Sequence, residues 1–174
     1  MSTGRRDTFI DLLDAHKRII YKIVHSYCRD QEDRKDLEQE IIVQLWKSFH
    51  KYDTSYKFST WMYRIALNVA ISAYRKEKGR QSQRAVYQEE SLCQISDEEK
   101  YEKTLDDNIA VLQRFINQQN ELNKALMLLY LDERKYEEIA EILGISTTNV
   151  ATKLSRLKLK LKKEFQKSYY NGSN

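Results

Sequence analysis

The chain has 174 residues, of which 41% are hydrophobic and 32% charged, and its formal net charge is +4. This length accommodates one domain or two small ones, and no apolar run approaches the ~20 residues that span a bilayer. The first residues lack the apolar segment and small-residue cleavage site of a secretion signal, so we expect a cytoplasmic protein.

Residues that carry chemistry are sparse. Cys28 and Cys93 stand in unrelated contexts, and the three histidines have no ligand spacing, so we expect no disulfide framework, metal site or cofactor. There is no Gly-rich phosphate loop and no paired-carboxylate metal motif, and we expect no catalytic residue. With no proline, four glycines and long helical periodicities, the chain is predicted to be all-α.

The first informative segment, residues 33–49, predicts an amphipathic helix. Its apolar positions Leu37, Ile41 and Leu45 recur at helical spacing, with Trp46 beside them. Its outer stripe contains Asp36, Gln39, Glu40 and Gln44. Phosphates would repel such a stripe, whereas a basic or polar protein partner would suit it. A plain solvated face is the alternative.

The segment FSTWMYRIALNVAISAYRK, residues 58–76, predicts a helix with two different sides. On a helical wheel the core side contains Met62, Tyr63, Ala66, Leu67, Ala70, Ala73 and Tyr74. The other side contains Trp61, Arg64, Asn68, Ser72, Arg75 and Lys76. The preceding loop offers Tyr56, Lys57 and Phe58. Aromatic rings interleaved with cations are typical of single-stranded nucleic-acid binding, in which bases stack and cations hold the backbone. The alternative is that Trp61 caps the core.

Charge divides the chain further. Residues 57–84 are basic, residues 85–107 are rich in Asp and Glu, and residues 153–163 are basic again. Two basic blocks around an acidic polar spacer favour a polyanionic partner. We therefore predict two small helical domains, residues 7–80 and 105–168, joined by an acidic flexible linker over residues 81–104.

Residues 136–157 predict a helix-turn-helix. A short apolar-faced helix ends at Gly144, Ser146 or Thr147 can cap the next helix, and Val150, Leu154 and Leu157 give that helix a buried face. In such a motif the second helix enters the major groove. Its exposed side chains are expected to read base edges: Thr148, Asn149, Thr152, Lys153 and Arg156. An ordinary helical hairpin is the alternative.

These motifs resemble a group IV (extracytoplasmic function, ECF) sigma factor of bacterial RNA polymerase. DLEQEIIVQLWKSF resembles region 2.2, FSTWMYRIALNVAISAYRK resembles regions 2.3 to 2.4, and residues 122–163 resemble region 4. The resemblance implies a region 2 helical bundle and a region 4 helix-turn-helix, with no catalytic activity and no small-molecule substrate. It implies two partners, core RNA polymerase and promoter DNA, the DNA in both duplex and single-stranded form. An anti-sigma factor is a third, open possibility.

The resemblance also implies residue roles. Asp36, Gln39 and Glu40 would dock on the coiled coil of the β′ clamp, and region 4 would contact the β flap. The loop of residues 52–58 and Asn68 would hold a non-template base of the −10 element, with Ser72 nearby and Trp61 at the fork. Region 4 would read the −35 element. A duplex-only helix-turn-helix regulator is the alternative, although it leaves the Asp36 stripe and the Trp61 face without a role.

Overall fold

The computed structural model describes residues 3–87 and 105–171, with side chains described for residues 6–80 and 108–168. Within these ranges the regular structure is entirely helical, which confirms the all-α prediction. The helices are α1 (Thr3–Tyr27), α2 (Gln31–Ser48), a 3-10 turn (Phe49–Lys51), α3 (Phe58–Tyr87), α4 (Leu105–Asn117), α5 (Glu121–Leu131), α6 (Tyr136–Leu143) and α7 (Thr147–Asn171).

The N-terminal domain consists of α1, α2 and α3, with both other helices packed on α3. Its centre is apolar and fully enclosed, and it includes Ile23, Ile41 and Met62. Helix α2 starts where the Asp30 side chain accepts a hydrogen bond from the Asp33 backbone N–H at 2.8 Å. This cap satisfies a backbone donor that has no partner inside the helix. The predicted burial of Ile41 is confirmed. On the core side of α3, Met62, Tyr63, Ala66, Leu67 and Ala70 are buried as predicted, and Ala73 and Tyr74 are half-buried.

The C-terminal domain consists of α4 to α7. Leu126, Ile139 and Leu154, from three different helices, form its enclosed centre. Asn120 caps α5 by accepting from the Asn123 N–H at 2.9 Å. Helix α6 ends at Gly144, whose φ of 66° lies in the left-handed region that favours glycine. The predicted helix-turn-helix is therefore present as α6 and α7.

The region between the domains differs in extent from the expected linker. Helix α3 continues past residue 80 to Tyr87, and α4 begins at Leu105. The expected acidic linker of residues 81–104 thus overlaps the end of α3, and all of its acids lie outside the described residues. In the described ranges, no helix is both long and apolar enough to cross a membrane.

Candidate nucleic-acid interface

Helix α3 presents one continuous polar stripe to solvent. Arg64, Asn68, Ser72 and Arg75 are all exposed, and their spacing of four, four and three residues places them on one face. Lys76 is exposed beside this face. The opposite face of α3 is fixed by the enclosed side chains that pack on α1 and α2. The polar stripe is therefore held on a rigid element, and it combines cations with an amide.

Trp61 lies at the start of this stripe and is half-buried in an aromatic cluster. Its ring centroid is 5.1 Å from that of Tyr52, 5.3 Å from that of Phe58 and 6.2 Å from that of Phe49. These separations are those of favourable aromatic pairs. The cluster holds one part of the indole and leaves another part accessible, so Trp61 supports the core and borders the stripe.

Phe58 occupies a different position from the one expected. Its side chain is only 5% exposed, in edge contact with His16 and Tyr52, at centroid distances of 5.3 Å each. The expectation that this ring is available for stacking is wrong, because Phe58 is part of the apolar core. Its place in the site is to anchor the end of the loop under Trp61.

The loop of residues 52–57 is ordered by its own polar groups. The Tyr52 hydroxyl donates to the Tyr56 carbonyl at 2.8 Å, and Oδ1 of Asp53 accepts from the Ser55 N–H at 2.9 Å. That backbone hydrogen bond lowers the pKa of the Asp53 carboxyl. The Tyr56 ring remains 58% exposed and is the accessible aromatic of the loop. The sequence alone does not reveal that Tyr52 braces the loop, because only the folded loop brings its hydroxyl to the Tyr56 carbonyl.

Helix α2 carries the acidic stripe on the outside of the domain. Asp36, Gln39 and Glu40 are exposed, as the sequence predicted. Val43 is 45% exposed and lies one turn after these residues, so it continues the stripe with an apolar side chain. Val43 is absent from the stripe predicted above, although its spacing of four residues from Gln39 indicates the same helix face. The stripe joins charge, amide and apolar surface, a mixture that suits a protein partner.

The recognition face of α7 is open to solvent. Ser146 caps the helix by accepting from the Asn149 N–H at 3.2 Å, and Val150 and Leu154 are enclosed beneath it. Thr148, Asn149, Thr152 and Arg156 are exposed and Lys153 is half-buried. The Thr152 hydroxyl donates to the Thr148 carbonyl at 2.9 Å. Thr152 can therefore offer its methyl group to a base, or accept a hydrogen bond.

Lys158 does not extend freely from α7. Its ammonium lies 4.2 Å from the Tyr130 ring centroid and 3.5 Å from the Tyr136 hydroxyl. These contacts, the one with Tyr130 first, raise the pKa of the Lys158 amine. Lys158 thus links α7 to α5 and α6. Among the described residues no group of His, Cys, Asp and Glu side chains could hold a metal ion.

Comparison with known proteins places the chain in a family. Residues 12–80 match Sigma-70 region 2, and residues 111–161 match Sigma-70, region 4. The RNA polymerase sigma factor YlaC of Bacillus subtilis (strain 168) is 30% identical over 165 residues, which cover 94% of this chain and 95% of that protein. The chain belongs to the sigma factor family of RNA polymerase.

Further relatives define its class within the family. The ECF RNA polymerase sigma factor SigW of the same Bacillus subtilis strain is 29% identical over 176 residues, covering 94% of this chain and 91% of SigW. A solved structure of the sigma factor RpoE with the anti-sigma factor NepR, from Bartonella quintana, shares the fold at a TM-score of 0.68. Its sequence identity is 18%, over 92% of this chain and 98% of that one. The chain is thus a sigma factor of the ECF type.

In this sigma factor the two domains touch. The N-terminal domain, which contains region 2, meets the C-terminal domain, which contains region 4, where α1 and α3 contact α5 and α6. Nε of Arg75 is 2.8 Å from Oε1 of Glu121, and Nζ of Lys57 is 3.1 Å from Oε1 of Glu138. Two cations that the sequence assigned to DNA are therefore paired with carboxylates of the region 4 domain.

Proposed function

We propose that this sigma factor binds core RNA polymerase and directs it to promoters, with region 2 opening the −10 element and region 4 reading the −35 element. One observation carries the proposal: a single chain of this family presents both an exposed Arg64–Arg75 stripe beside half-buried Trp61 and an exposed recognition helix. A duplex-only regulator would need the second surface and not the first.

At the −10 element the proposed roles follow from chemistry. Arg64, Arg75 and Lys76 hold the backbone of the non-template strand, as does Lys57 from the loop. Extruding a base costs a few kcal/mol of stacking and pairing, which contacts to the extruded base can offset. Asn68 offers an amide donor and acceptor to that base, with the Ser72 hydroxyl one turn away. Tyr56 supplies the exposed ring for stacking, and Trp61 borders the fork.

At the −35 element α7 lies in the major groove. Asn149 can bond an adenine edge through two hydrogen bonds, and Arg156 can bond a guanine in the same way. Thr148, Thr152 and Lys153 complete the surface. Contacts to bases select the sequence, whereas phosphate contacts fix the register of the helix on the duplex and make binding sensitive to salt.

The core enzyme is engaged by separate surfaces. The α2 stripe of Asp36, Gln39, Glu40 and Val43 docks on the coiled coil of the β′ clamp, and the region 4 domain contacts the β flap. The polymerase catalyses RNA synthesis. This chain selects the promoter and separates the DNA strands, and it does so in the cytoplasm without a cofactor of its own. An anti-sigma factor is a further proposed partner, of the kind that the solved RpoE structure contains.

Reconstitution with core polymerase tests the proposal. The chain and core are incubated with a library of duplex promoter sequences, and the transcripts are sequenced to map their start sites. We expect starts downstream of two shared motifs separated by a constant spacer. Tight sequence-specific binding of the free chain to duplex alone, without any start-site selection by core, would favour a duplex-only regulator.

A further inference from the structure

We propose that the region 4 domain carries an acidic face, composed of Glu121 on α5, Asp132 in the α5–α6 turn and Glu138 on α6, that keeps the free sigma factor closed. In this closed state, the carboxylates of Glu121 and Glu138 form ion pairs with cations of region 2, which are then not available to DNA phosphates. The proposal rests on the proposed function, since that function assigns Lys57 and Arg75 to the −10 strand. It adds that the chain itself blocks DNA binding at the −10 surface, and that separation of the two domains removes this block.

The carboxylates and their cations differ in how they are held. The side chains of Glu121 and Glu138 are 21% and 20% exposed, whereas those of Arg75 and Lys57 are 65% and 74% exposed. The acids are therefore part of the packed surface of the region 4 domain, and the cations are solvent-exposed side chains that reach it. Such cations can exchange a carboxylate for a phosphate once the domains separate, because both anions accept the same hydrogen bonds.

Between these two pairs lies a network centred on Asp132. Its carboxylate accepts from Lys22, and also from the Tyr63 hydroxyl at 2.9 Å and from Nε of Arg134 at 3.3 Å. The Arg134 guanidinium lies 5.1 Å from the Tyr63 ring centroid and donates to the Ser59 hydroxyl at 3.2 Å. The network joins α1, α3 and the α5–α6 turn, so it fixes how the domains are seated.

The turn that presents this network has an unusual backbone. Glu133, between Asp132 and Arg134, has a φ of 57°, a backbone conformation that residues other than glycine rarely adopt. Backbone hydrogen bonds from the N–H groups of Glu133 and Arg134 to the Tyr130 and Leu129 carbonyls hold it. The turn is thus specified locally by the region 4 domain, and it places Asp132 and Arg134 toward region 2.

A buried lysine completes the interface. Lys124 is 4% exposed, donates to the Ser26 carbonyl at 3.0 Å, and lies 5.4 Å and 5.3 Å from the ring centroids of Tyr27 and Tyr74. The Tyr27 hydroxyl donates to the Glu121 carbonyl at 2.7 Å. A buried cation costs free energy unless its donors are satisfied, so this geometry selects one seating of the domains over others.

Closure acts unequally on the two DNA surfaces. The contacts with region 4 extend from Ser59 to Arg75, about 24 Å along α3 at 1.5 Å per residue. The recognition face of α7 takes no part in them, and Thr148, Asn149 and Arg156 remain exposed. The closed chain therefore blocks the ends of the −10 surface and leaves the −35 surface accessible. Exposed ion pairs contribute little each, so core polymerase can open the chain.

The test compares charge-matched variants of the full chain. The first variant, Glu121→Gln with Glu138→Gln, removes both ion pairs, and glutamine keeps the side-chain acceptor that Glu138 offers to the Lys135 N–H. Glu137→Gln with Glu141→Gln is the control, since both acids are exposed and lie outside the interface. Asp132→Asn is an independent variant that weakens the interface without touching a proposed −10 residue.

Two readouts are measured in the absence of core. They are anisotropy of a short labelled single strand of mixed sequence and the radius of gyration from X-ray scattering. We expect both interface variants to expand and to bind the single strand threefold or more tighter, and the control to change by less than about twofold. Duplex binding through α7 should stay within about twofold. An equal gain in the control, or no gain and no expansion, would refute the closed state.

A transcription assay distinguishes failure of the closed-state proposal from failure of the proposed function. Wild-type chain and each variant are also assayed with core polymerase on a mapped promoter. If wild type initiates from promoters and the interface variants bind single strands no better, the closed state is refuted and the proposed function stands. If wild type directs no initiation by core, the proposed function fails, and with it the closed state as a block on DNA.

Discussion

The hydroxyl of Tyr63 on α3 donates a hydrogen bond of 2.9 Å to Oδ2 of Asp132 in the turn after α5. The two residues belong to different domains and are 69 positions apart in sequence. Tyr63 is almost fully enclosed, and its burial, followed by the nearby Asp132 charge, raises the pKa of its hydroxyl. The hydroxyl therefore stays protonated and remains a donor at neutral pH.

We predict that Tyr63→Phe weakens the contact between the domains. The ring keeps its packing, and Asp132 loses one of its donors, at a cost of about 1.5 kcal/mol for a hydrogen bond to a charged group. Thermal unfolding should shift downward by a few degrees, and the radius of gyration should increase. Tyr21→Phe is the matched control, because Tyr21 is 64% exposed. Equal melting temperatures of the two variants would show that the Tyr63 hydroxyl contributes nothing to stability.

Acid should open the interface. Hydrogen bonding to Arg75 lowers the pKa of Glu121. Burial raises the pKa of Asp132 and of Glu138, but hydrogen bonds led by those from Lys22 and Lys57 respectively outweigh it, so both pKa values are also lowered. Carboxyls with lowered pKa stabilise the closed state above their ordinary pKa of about 4, and that stabilisation is lost as pH falls through the lowered values.

Scattering as a function of pH measures this opening, with circular dichroism reporting whether the helices persist. The charged groups that face the three carboxyls are Lys22, Lys57, Arg75, Lys78 and Arg134. A radius of gyration that stays constant from neutral pH to below pH ~4, in a chain that keeps its helices, would contradict the prediction.

Asn68→Ala should lower transcription from a duplex promoter by about tenfold, because a base contact of the proposed kind contributes roughly 1 to 3 kcal/mol. Asn68 is exposed, so the substitution should leave the fold and core binding intact. Run-off transcription and co-purification with core measure the two effects. Asn108→Ala, also exposed, serves as the control. If core binding disappears in the Asn68 variant, its side chain has a structural role instead.

Asp36→Ala combined with Glu40→Ala should weaken association with core polymerase by about tenfold, since the pair removes the two charges of the docking stripe. Binding of the free chain to DNA should not fall. Glu38→Ala combined with Glu141→Ala removes the same charge from exposed positions outside the stripe and should leave core affinity unchanged. Titration of labelled core measures both. Equal affinities of the two variants for core polymerase would show that the stripe is an ordinary solvated surface.

Gly144→Ala should destabilise the chain by about 1 kcal/mol, because alanine is strained at a φ of 66°. No atom lies within 4 Å of the added carbon, so the cost is conformational and not a clash. Gly79→Ala meets equally open space inside α3 and should be stabilising by up to about 1 kcal/mol. Urea unfolding compares them. A stabilised Gly144 variant would mean that the turn relaxes out of the left-handed region.

Much of each domain follows from the sequence because its determinants are local. The spacing of Leu37, Ile41 and Leu45 predicts which face of α2 is buried, and Gly144 marks the turn between α6 and α7. The exposed −35 residues of α7 follow from the same periodicity. The roles of these surfaces remain proposals, but their exposure is a property of the described structure.

Periodicity shows that a face is buried without showing what buries it. The helical wheel predicts Tyr63 and Tyr74 on the core side of α3, yet part of what surrounds them comes from Asp132, Arg134 and Lys124 of the other domain. The sequence predicts an accessible Phe58 ring at the end of the loop, although this ring packs in the core. Neither the partners of Tyr63 and Tyr74 nor the burial of Phe58 follows from the sequence, since contacts between distant segments leave no local pattern.

The amino-acid sequence by itself determined the all-α class, the faces of α2 and α3, the α6–α7 helix-turn-helix and the sigma factor family, because spacing, capping residues and motifs act over a few turns of chain. Only the tertiary structure decided that Arg75 meets Glu121 and that Lys57 meets Glu138. Those pairs join residues 46 and 81 positions apart, and their formation depends on how whole helices are seated. Charge in the sequence shows which groups can attract, and packing decides which of them come within reach.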